Sequence, residues 1–262
     1  MYFWVFPFHR GVCSNPLEGE GMGGMARREL KRRIEALDAE LRRRFQNQSS
    51  IKDPRVQEAT RDAYVWVTQY TNSYNPHWLE EGRVSAYEPF PQYVYIESLF
   101  RILDLDERII WFEKSRDMML SWCCVAYFTR QAMTVPEREV LFQTQKEDKA
   151  KQLVRYAKTL YDMQPEWLKA AYPLTKSVWA QPELELHFAN GGSIVGIPGG
   201  ADQIRSYHPW GYLLDEASFV TEAGECYNEA LSAVRGKIIL NSSAGPGWYA
   251  DARRDIVRSQ EE

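Results

Sequence analysis

Residues 114–121 lie between an apolar strand pattern and a helix pattern, and they include side chains that could bind a phosphate. A phosphate loop would read Gly-x-x-x-x-Gly-Lys-Ser/Thr at this place. With Ser121 as its last position, Lys114, Met119 and Leu120 replace the two glycines and the lysine, so the strict pattern fails. The strand-to-helix turn still directs backbone N–H groups at an anion. Ser121 could offer its hydroxyl to Mg²⁺ while Lys114 and Arg116 supply cations; a salt-bridged structural turn is an equal alternative.

Two acidic residues end a second apolar strand pattern. Residues 211–214 are followed by Asp215, Glu216 and Ala217. One carboxylate there could anchor Mg²⁺ and the other could orient and deprotonate an attacking water, so we expect these roles for Asp215 and Glu216 respectively. The alternative is a helix cap with an acidic first turn, because the same residue types are common there.

Small hydroxyl residues end the last strand pattern of the chain. Ser242, Ser243 and Ala244 follow a run of apolar residues at 238–240. Hydroxyl groups at such a strand end could sense the γ-phosphate of a nucleotide, and a plain turn is the alternative.

A sheet must bring these three clusters to one edge. Beyond residue 105, strand patterns near residues 109–112, 140–144, 184–188, 193–197, 211–215 and 237–242 alternate with helix patterns near 119–133, 146–161 and 223–233. This alternation is typical of an α/β fold with a mostly parallel central sheet flanked by helices. Open sheets of this kind bind ligands outside the carboxyl ends of their strands, and all three clusters stand at such ends.

The three clusters, in this order, resemble the N-terminal ATPase domain of the large terminase of tailed bacteriophages, over roughly residues 88–250. The likeness rests on the lysine at the start of the loop, on the Asp-Glu-Ala run and on the Ser-Ser-Ala run. It implies a P-loop NTPase of the additional-strand, catalytic-glutamate type, with ATP and Mg²⁺ as cofactors. The roles it implies are nucleotide binding for the loop (Lys114, Ser115, Arg116, Asp117, Met118, Met119, Leu120, Ser121), Mg²⁺ binding for Ser121 and Asp215, catalysis for Glu216, and coupling for Ser242, Ser243 and Ala244.

Two further residues match the family pattern less closely. Arg205 resembles an arginine that reaches the nucleotide of a neighbouring subunit, although Ser206 stands where the family often has glycine. Gln92 resembles an adenine-sensing glutamine, with Tyr93 or Tyr95 able to stack on the base. The alternatives are that Arg205 is an ordinary surface arginine and that Gln92 is an ordinary polar loop residue.

The resemblance implies a motor that hydrolyses ATP to move double-stranded DNA into a procapsid. The implied partners are double-stranded DNA, further copies of the chain in a ring on a portal, and a small terminase subunit, all in the cytoplasm of the host cell. We expect no nuclease activity, because the chain stops at Glu262. The alternatives are another, helicase-like P-loop ATPase, or a catalytically inactive terminase fragment that acts as a docking module.

Composition and patterning divide the rest of the chain. We expect a flexible leader over residues 1–24, a basic amphipathic helix over 25–50 as an N-terminal helical appendage, a linker of helix and loop over 51–87, the ATPase domain over 88–250 and a C-terminal tail over 251–262. The net charge of −4 means that any contact with nucleic acid must be local. The longest apolar run, residues 118–128, is too short to span a membrane, so we expect no membrane partner. The four cysteines, Cys13, Cys123, Cys124 and Cys226, are expected to be buried thiols.

Overall fold

The computed structural model describes residues 2–6, 52–175 and 183–261. The predicted basic helix and most of the predicted leader lie outside these ranges. The strands are β1 (Tyr2–Phe6), β2 (Asn72–Tyr74), β3 (Tyr87–Pro89), β4 (Ile109–Lys114), β5 (Glu139–Gln143), β6 (Glu185–His187), β7 (Ser193–Ile197), β8 (Gly211–Asp215) and β9 (Lys237–Ser243). The helices are α1 (Pro54–Ala59), α2 (Ala63–Tyr70), α3 (Val94–Leu103), α4 (Leu120–Thr134), α5 (Glu147–Asp162), α6 (Glu166–Ala171), α7 (Ala223–Ala233) and α8 (Trp248–Glu261).

Seven of the strands form one sheet in the order β1-β4-β9-β8-β5-β7-β6. The five central strands (β4, β9, β8, β5 and β7) are parallel to one another. The two edge strands, β1 and β6, run antiparallel to their neighbours. Strand β9 lies between β4, which leads into the candidate phosphate loop, and β8, which ends at Asp215. This inserted strand is the additional-strand arrangement that the sequence analysis predicts, and the mostly parallel sheet is confirmed.

Alternating side chains of the strands fill two apolar layers, one on each face of the sheet. On β4, Phe112 packs into the layer under α2 to α5, whereas Trp111 packs into the layer under α7 and α8. On β8, Leu213 packs into the same layer as Phe112, and Tyr212 packs into the same layer as Trp111. Helix α4 is buried on nearly all sides, as expected for a helix without a polar face.

The structure departs from the predicted organisation at three places. Within the linker predicted over residues 51–87, residues 54–70 form two helices and not one, because Asp62 starts α2 anew by accepting a hydrogen bond from the Val65 N–H at 2.7 Å. Residues 251–261, predicted as a tail, belong to α8, whose Tyr249 hydroxyl donates to the Phe112 carbonyl at 2.7 Å. Within the predicted flexible leader, Tyr2–Phe6 forms β1, which covers the open edge of β4.

Two further features concern the apolar segments and the cysteines. Among the described residues, no helix combines the length and the apolar character needed to cross a bilayer. Cys123, Cys124 and Cys226 are free and buried, as predicted. Cys13 lies outside the described residues.

One buried lysine joins the sheet to the helical layer. Lys237, the first residue of β9, is 6% exposed, and its Nζ donates to the carbonyls of Leu103 at 2.5 Å and Leu105 at 2.6 Å at the end of α3. Burial lowers the pKa of Lys237 to about 8, against a smaller opposing effect of Asp104. Below that pH the folded protein therefore holds a desolvated charge.

This burial predicts a pH dependence of stability. The unfolded chain keeps the Lys237 proton up to about pH 10.4, whereas the folded chain releases it near pH 8. The free energy of unfolding therefore increases as the pH rises from about 8 towards about 10.4. We expect the stability of wild type relative to Lys237→Met to increase across this window, measured by denaturant unfolding at several pH values. Parallel pH profiles for the two proteins would show that Lys237 does not titrate there.

Candidate functional site

A cavity of about 570 Å³ lies at the carboxyl ends of β4, β8, β9 and β5. Seven of the residues singled out from the sequence line it: Lys114, Arg116, Asp117, Ser121, Asp215, Glu216 and Ser243. The three sequence clusters therefore meet at one edge of the sheet, as the strand-end rule predicts.

The loop that precedes α4 has an unusual backbone. Asp117 and Met119 adopt left-handed conformations, with φ values of 60° and 50°. Met119 stands where a phosphate loop has its second glycine, so this chain keeps the backbone turn although the residue that favours it is missing. Helix α4 begins at Leu120 without a side-chain cap at Met119. Its first N–H groups, which have no partner within a helix, are therefore able to bind an anion.

A buried carboxylate lies beside the start of α4. The Ser121 hydroxyl donates to Asp215 Oδ1 at 2.8 Å. Burial raises the pKa of Asp215, and the nearby Glu216 adds to the rise. The hydrogen bonds from Ser121 and Asn241 and the charge of Lys114 act in the opposite direction and limit the rise. Asp215 is thus a desolvated charge that a cation would stabilise.

Glu216 is held in place from two sides. Its backbone is left-handed, with φ of 55°. Its Oε1 accepts from Lys114 Nζ at 3.1 Å, and its Oε2 accepts from the Ser243 hydroxyl at 3.0 Å. Ser242 is buried instead of facing the cavity: its hydroxyl accepts from the Ser218 N–H at 3.0 Å and donates to the Ser243 carbonyl at 2.8 Å. The two serines therefore connect the end of β9 to Glu216 and to the 3-10 turn at Ala217–Phe219.

The other predicted site residues do not line this cavity. Gln92 is exposed just before α3. Arg205 is 65% exposed and pairs with Glu229 at 2.7 Å on the far side of the sheet from α4. Leu120, which stands in place of the missing lysine, is apolar and buried in the core, and it supplies no cation. Ser115, Met118 and Ala244 are also outside the lining.

Several lining residues were missed by the sequence analysis. Thr144 and Gln145 follow β5 directly, and the strand-end rule applied to this strand would have found them. Lys149, Gln152 and Tyr156 reach the cavity from α5. Their spacing is that of an ordinary amphipathic helix, so no signal in the sequence distinguishes them.

The donor set fits Mg²⁺ better than a metal held by protein alone. Among the described residues, no group of three or more His, Cys, Asp or Glu side chains could hold a metal ion. Mg²⁺ commonly uses one or two protein ligands and completes its shell with water and substrate phosphates. Ser121 Oγ and Asp215 match that requirement. Asn241 Oδ1, which is buried with no hydrogen-bond partner among the described residues, adds an acceptor on β9 in register with Asp215.

Comparison with known proteins gives similarity of fold. No family model and no curated protein matches the chain. The crystal structure of the bacteriophage HK97 large terminase is similar with a TM-score of 0.55 at 9% identity, covering 77% of this chain and 42% of that chain. The large terminase ATPase domain of Thermus phage P74-26 gives a TM-score of 0.46 at 12% identity, covering 69% and 73%. This chain thus shares the fold of the HK97 protein, and it matches 42% of that protein's length.

The buried carboxylate predicts that Asp215→Asn stabilises the protein. Because the folded-state pKa of Asp215 is raised, wild-type stability falls as the pH rises above the ordinary value of about 3.9. The amide removes this loss and still accepts from Ser121. We expect its melting temperature at pH 7 to exceed that of wild type by about 2–4 °C, the change that 1 kcal/mol produces in a domain of this size.

The sign of the effect can be checked by pH. The difference in melting temperature between Asp215→Asn and wild type should shrink as the pH falls towards about 4. Asp202→Asn, which changes an exposed aspartate, is the matched control. A less stable Asp215→Asn at pH 7 would mean that the Asp215 charge is compensated in the folded state.

Proposed function

We propose that this domain hydrolyses ATP with Mg²⁺ and uses the energy to move double-stranded DNA, as the ATPase motor of a phage or prophage packaging terminase. The observation that carries the proposal is the meeting of Ser121, Asp215 and Glu216 beside the uncapped start of α4. The fold shared with the HK97 large terminase supports it.

The loop and α4 would bind the triphosphate. The N–H groups at the start of α4 and the positive end of its dipole favour phosphate oxygens. Arg116 and Lys149 add positive charge at the cavity wall. Ser121 and Asp215 would hold Mg²⁺, which neutralises charge on the phosphates and orients them for attack.

The ion pair of Lys114 and Glu216 would give the site two states. The Lys114 side chain is 8% exposed, and its Nζ contacts Glu216 Oε1 at 3.1 Å. The phosphates of a bound nucleotide would compete for Lys114 and so release this oxygen, while Ser243 still holds Oε2. Glu216 would then accept a proton from water as the water oxygen bonds to the γ-phosphorus and the bond to the ADP oxygen breaks.

Ser242 and Ser243 would couple this chemistry to movement. They connect Glu216 to β9 and to the turn that contains Ser218. Loss of the γ-phosphate would therefore change the contacts of Glu216 and, through the serines, the turn that leads into α7. Ala244 follows them at the exposed end of β9.

Arg205 would act on a neighbouring copy of the chain. It lies outside the cavity of its own chain and is 65% exposed, so its guanidinium could reach a nucleotide only across a subunit contact. A ring of copies around DNA would provide such contacts. The net charge of −4 requires any contact with DNA to be local, and a ring needs a basic surface only on its inner face. The ring would act on a portal with a small terminase subunit, in the host-cell cytoplasm.

One observation favours a second candidate, a catalytically inactive docking module. Leu120, which takes the place of the usual loop lysine, is buried and offers no charge to a phosphate. Nucleotide binding and hydrolysis decide between the two functions.

Glu216→Gln is expected to keep ATP binding and to lose hydrolysis. The amide cannot take the proton of water, so the rate should fall by about 10²–10⁴-fold. Titration calorimetry with ATP and Mg²⁺ measures binding, and phosphate release measures hydrolysis. Glu97→Gln, which changes a half-buried glutamate on α3 that pairs with Arg101 away from the cavity, is the matched control.

Three results would contradict parts of this proposal. No binding at millimolar ATP would favour the docking module. Unchanged hydrolysis in Glu216→Gln would remove its role as the base. Linear double-stranded DNA that neither binds nor raises the hydrolysis rate would contradict the movement of DNA.

Mixing two inactive variants tests the role of Arg205. Arg205→Ala alone should lower hydrolysis by about 10³–10⁵-fold. A mixture with Glu216→Gln should recover activity, because the first variant supplies intact sites and the second supplies intact arginines. Arg101→Ala, an exposed arginine on α3, is the control. A mixture as inactive as its parts would show that Arg205 does not act across subunits.

A further inference from the structure

The nucleotide cavity continues along α5 to the β2–β3 hairpin. A second cavity of about 410 Å³ shares Lys149, Gln152 and Tyr156 with the first. Its other wall includes Tyr74 of β2 and Tyr87 of β3. The two cavities therefore have a common wall on α5, with the catalytic groups at one end and the hairpin at the other.

The two hairpin tyrosines form an exposed aromatic surface. Tyr74 and Tyr87 are direct cross-strand partners, with ring centroids 5.6 Å apart and an interplanar angle of 61°. They are 42% and 43% exposed. Because the rings meet edge to face, a ring face remains free for a planar ligand.

The shared wall contains a stacked aromatic pair and lines the same cavity as Asp215. Tyr156 stacks on Trp122 at 4.0 Å with an interplanar angle of 18°, and its hydroxyl accepts from Gln152 Nε2 at 2.7 Å. Burial raises the pKa of Tyr156, and the charge of Asp215 adds to this rise. The Tyr156 side chain thus lies within electrostatic reach of Asp215 and also lines the hairpin cavity.

Polar groups surround the tyrosines at the hairpin end. Arg155 and Thr159 from α5 line the same cavity, together with Asp148. Aromatic faces beside an arginine and hydrogen-bonding side chains are the combination that binds nucleobases by stacking and by contacts to their edges.

We propose that Tyr74 and Tyr87, with Arg155 and Thr159, bind the base of the nucleoside triphosphate whose phosphates occupy the first cavity. This inference rests on the proposed function, since it requires a nucleotide at Ser121 and Asp215. It places the base on the hairpin, where no sequence motif is found, and not at Gln92.

The residues before α3 that were predicted to bind the base are placed less favourably for it. Gln92 lines neither of the two cavities. Tyr93 and Tyr95 stack on each other at 5.6 Å with an interplanar angle of 19°, so each ring covers a face of the other. Tyr93 lines a different cavity, formed with residues 82–85, Glu88 and Pro89.

Two probes separate the base from the phosphates. Calorimetry of the full chain with magnesium ATP reports both contacts, whereas magnesium tripolyphosphate reports only the phosphate contacts. We expect Tyr74→Ala and Tyr87→Ala each to weaken ATP binding by about tenfold, as loss of one stacking contact does, and to leave tripolyphosphate binding unchanged. Tyr87→Phe, which keeps the ring, should bind ATP nearly as wild type does.

Two control variants test whether nearby changes act indirectly. Val84→Ala changes an exposed residue in the connection between β2 and β3, and Lys158→Ala changes an exposed residue of α5 outside the cavity. Both should bind the two probes as wild type does. Melting temperatures of all variants show whether the hairpin keeps its fold.

The outcomes distinguish the two levels of the proposal. Unchanged ATP affinity in both tyrosine-to-alanine variants, with tripolyphosphate bound, would overturn the base site and leave the proposed function standing. Weaker ATP binding in Gln92→Ala with no change in Tyr87→Ala would place the base before α3 and also overturn it. Wild type that binds neither probe would overturn the proposed function and this inference together.

Discussion

The carboxylate of Asp215 is a charge taken out of water at the end of a central strand, and the surrounding elements are arranged to accommodate it. A carboxylate in this position needs hydrogen bonds and opposite charge. Helix α4 supplies the Ser121 hydroxyl, β9 supplies Asn241 in register, and β4 supplies Lys114. Because β9 lies between β4 and β8, it brings an amide beside the carboxylate. The remaining cost of desolvation is the property that makes the position suitable for a cation.

The loop and the acidic turn use backbone conformations that their residues do not favour. Met119, Asp117 and Glu216 are all left-handed although none is glycine, and such conformations cost about 1–2 kcal/mol each. They persist because the neighbouring elements are fixed: α4 is buried in the core, and Glu216 is bound by Lys114 and Ser243. Strain of this kind is common at functional sites, where the geometry matters more than local stability.

The sequence predicted the parts of the site that obey a positional rule. Asp215, Glu216 and Ser243 each stand at or just beyond the end of a predicted strand, and Ser121 ends the loop that follows another; parallel strands bring such ends together. The contact between Lys114 and Glu216 could not be predicted, because it depends on the left-handed turn at Glu216 and on β9 lying between β4 and β8. The cavity wall on α5 was missed because the apolar pattern of a helix predicts which face is buried but not which other residues that face contacts. The edge strand Tyr2–Phe6 and helix α8 were misread because both gain their order from partners distant in the sequence, β4 and the Phe112 carbonyl.

The direction of β1 has a practical consequence for work with this chain. Tyr2 pairs with Glu113, next to Lys114 at the carboxyl end of β4, whereas Phe6 pairs with Ile109 at the opposite end. Any peptide fused before Tyr2 would therefore emerge at the rim of the cavity. A polyhistidine tag placed there would put imidazole side chains, which bind transition metals and not Mg²⁺, near Asp215.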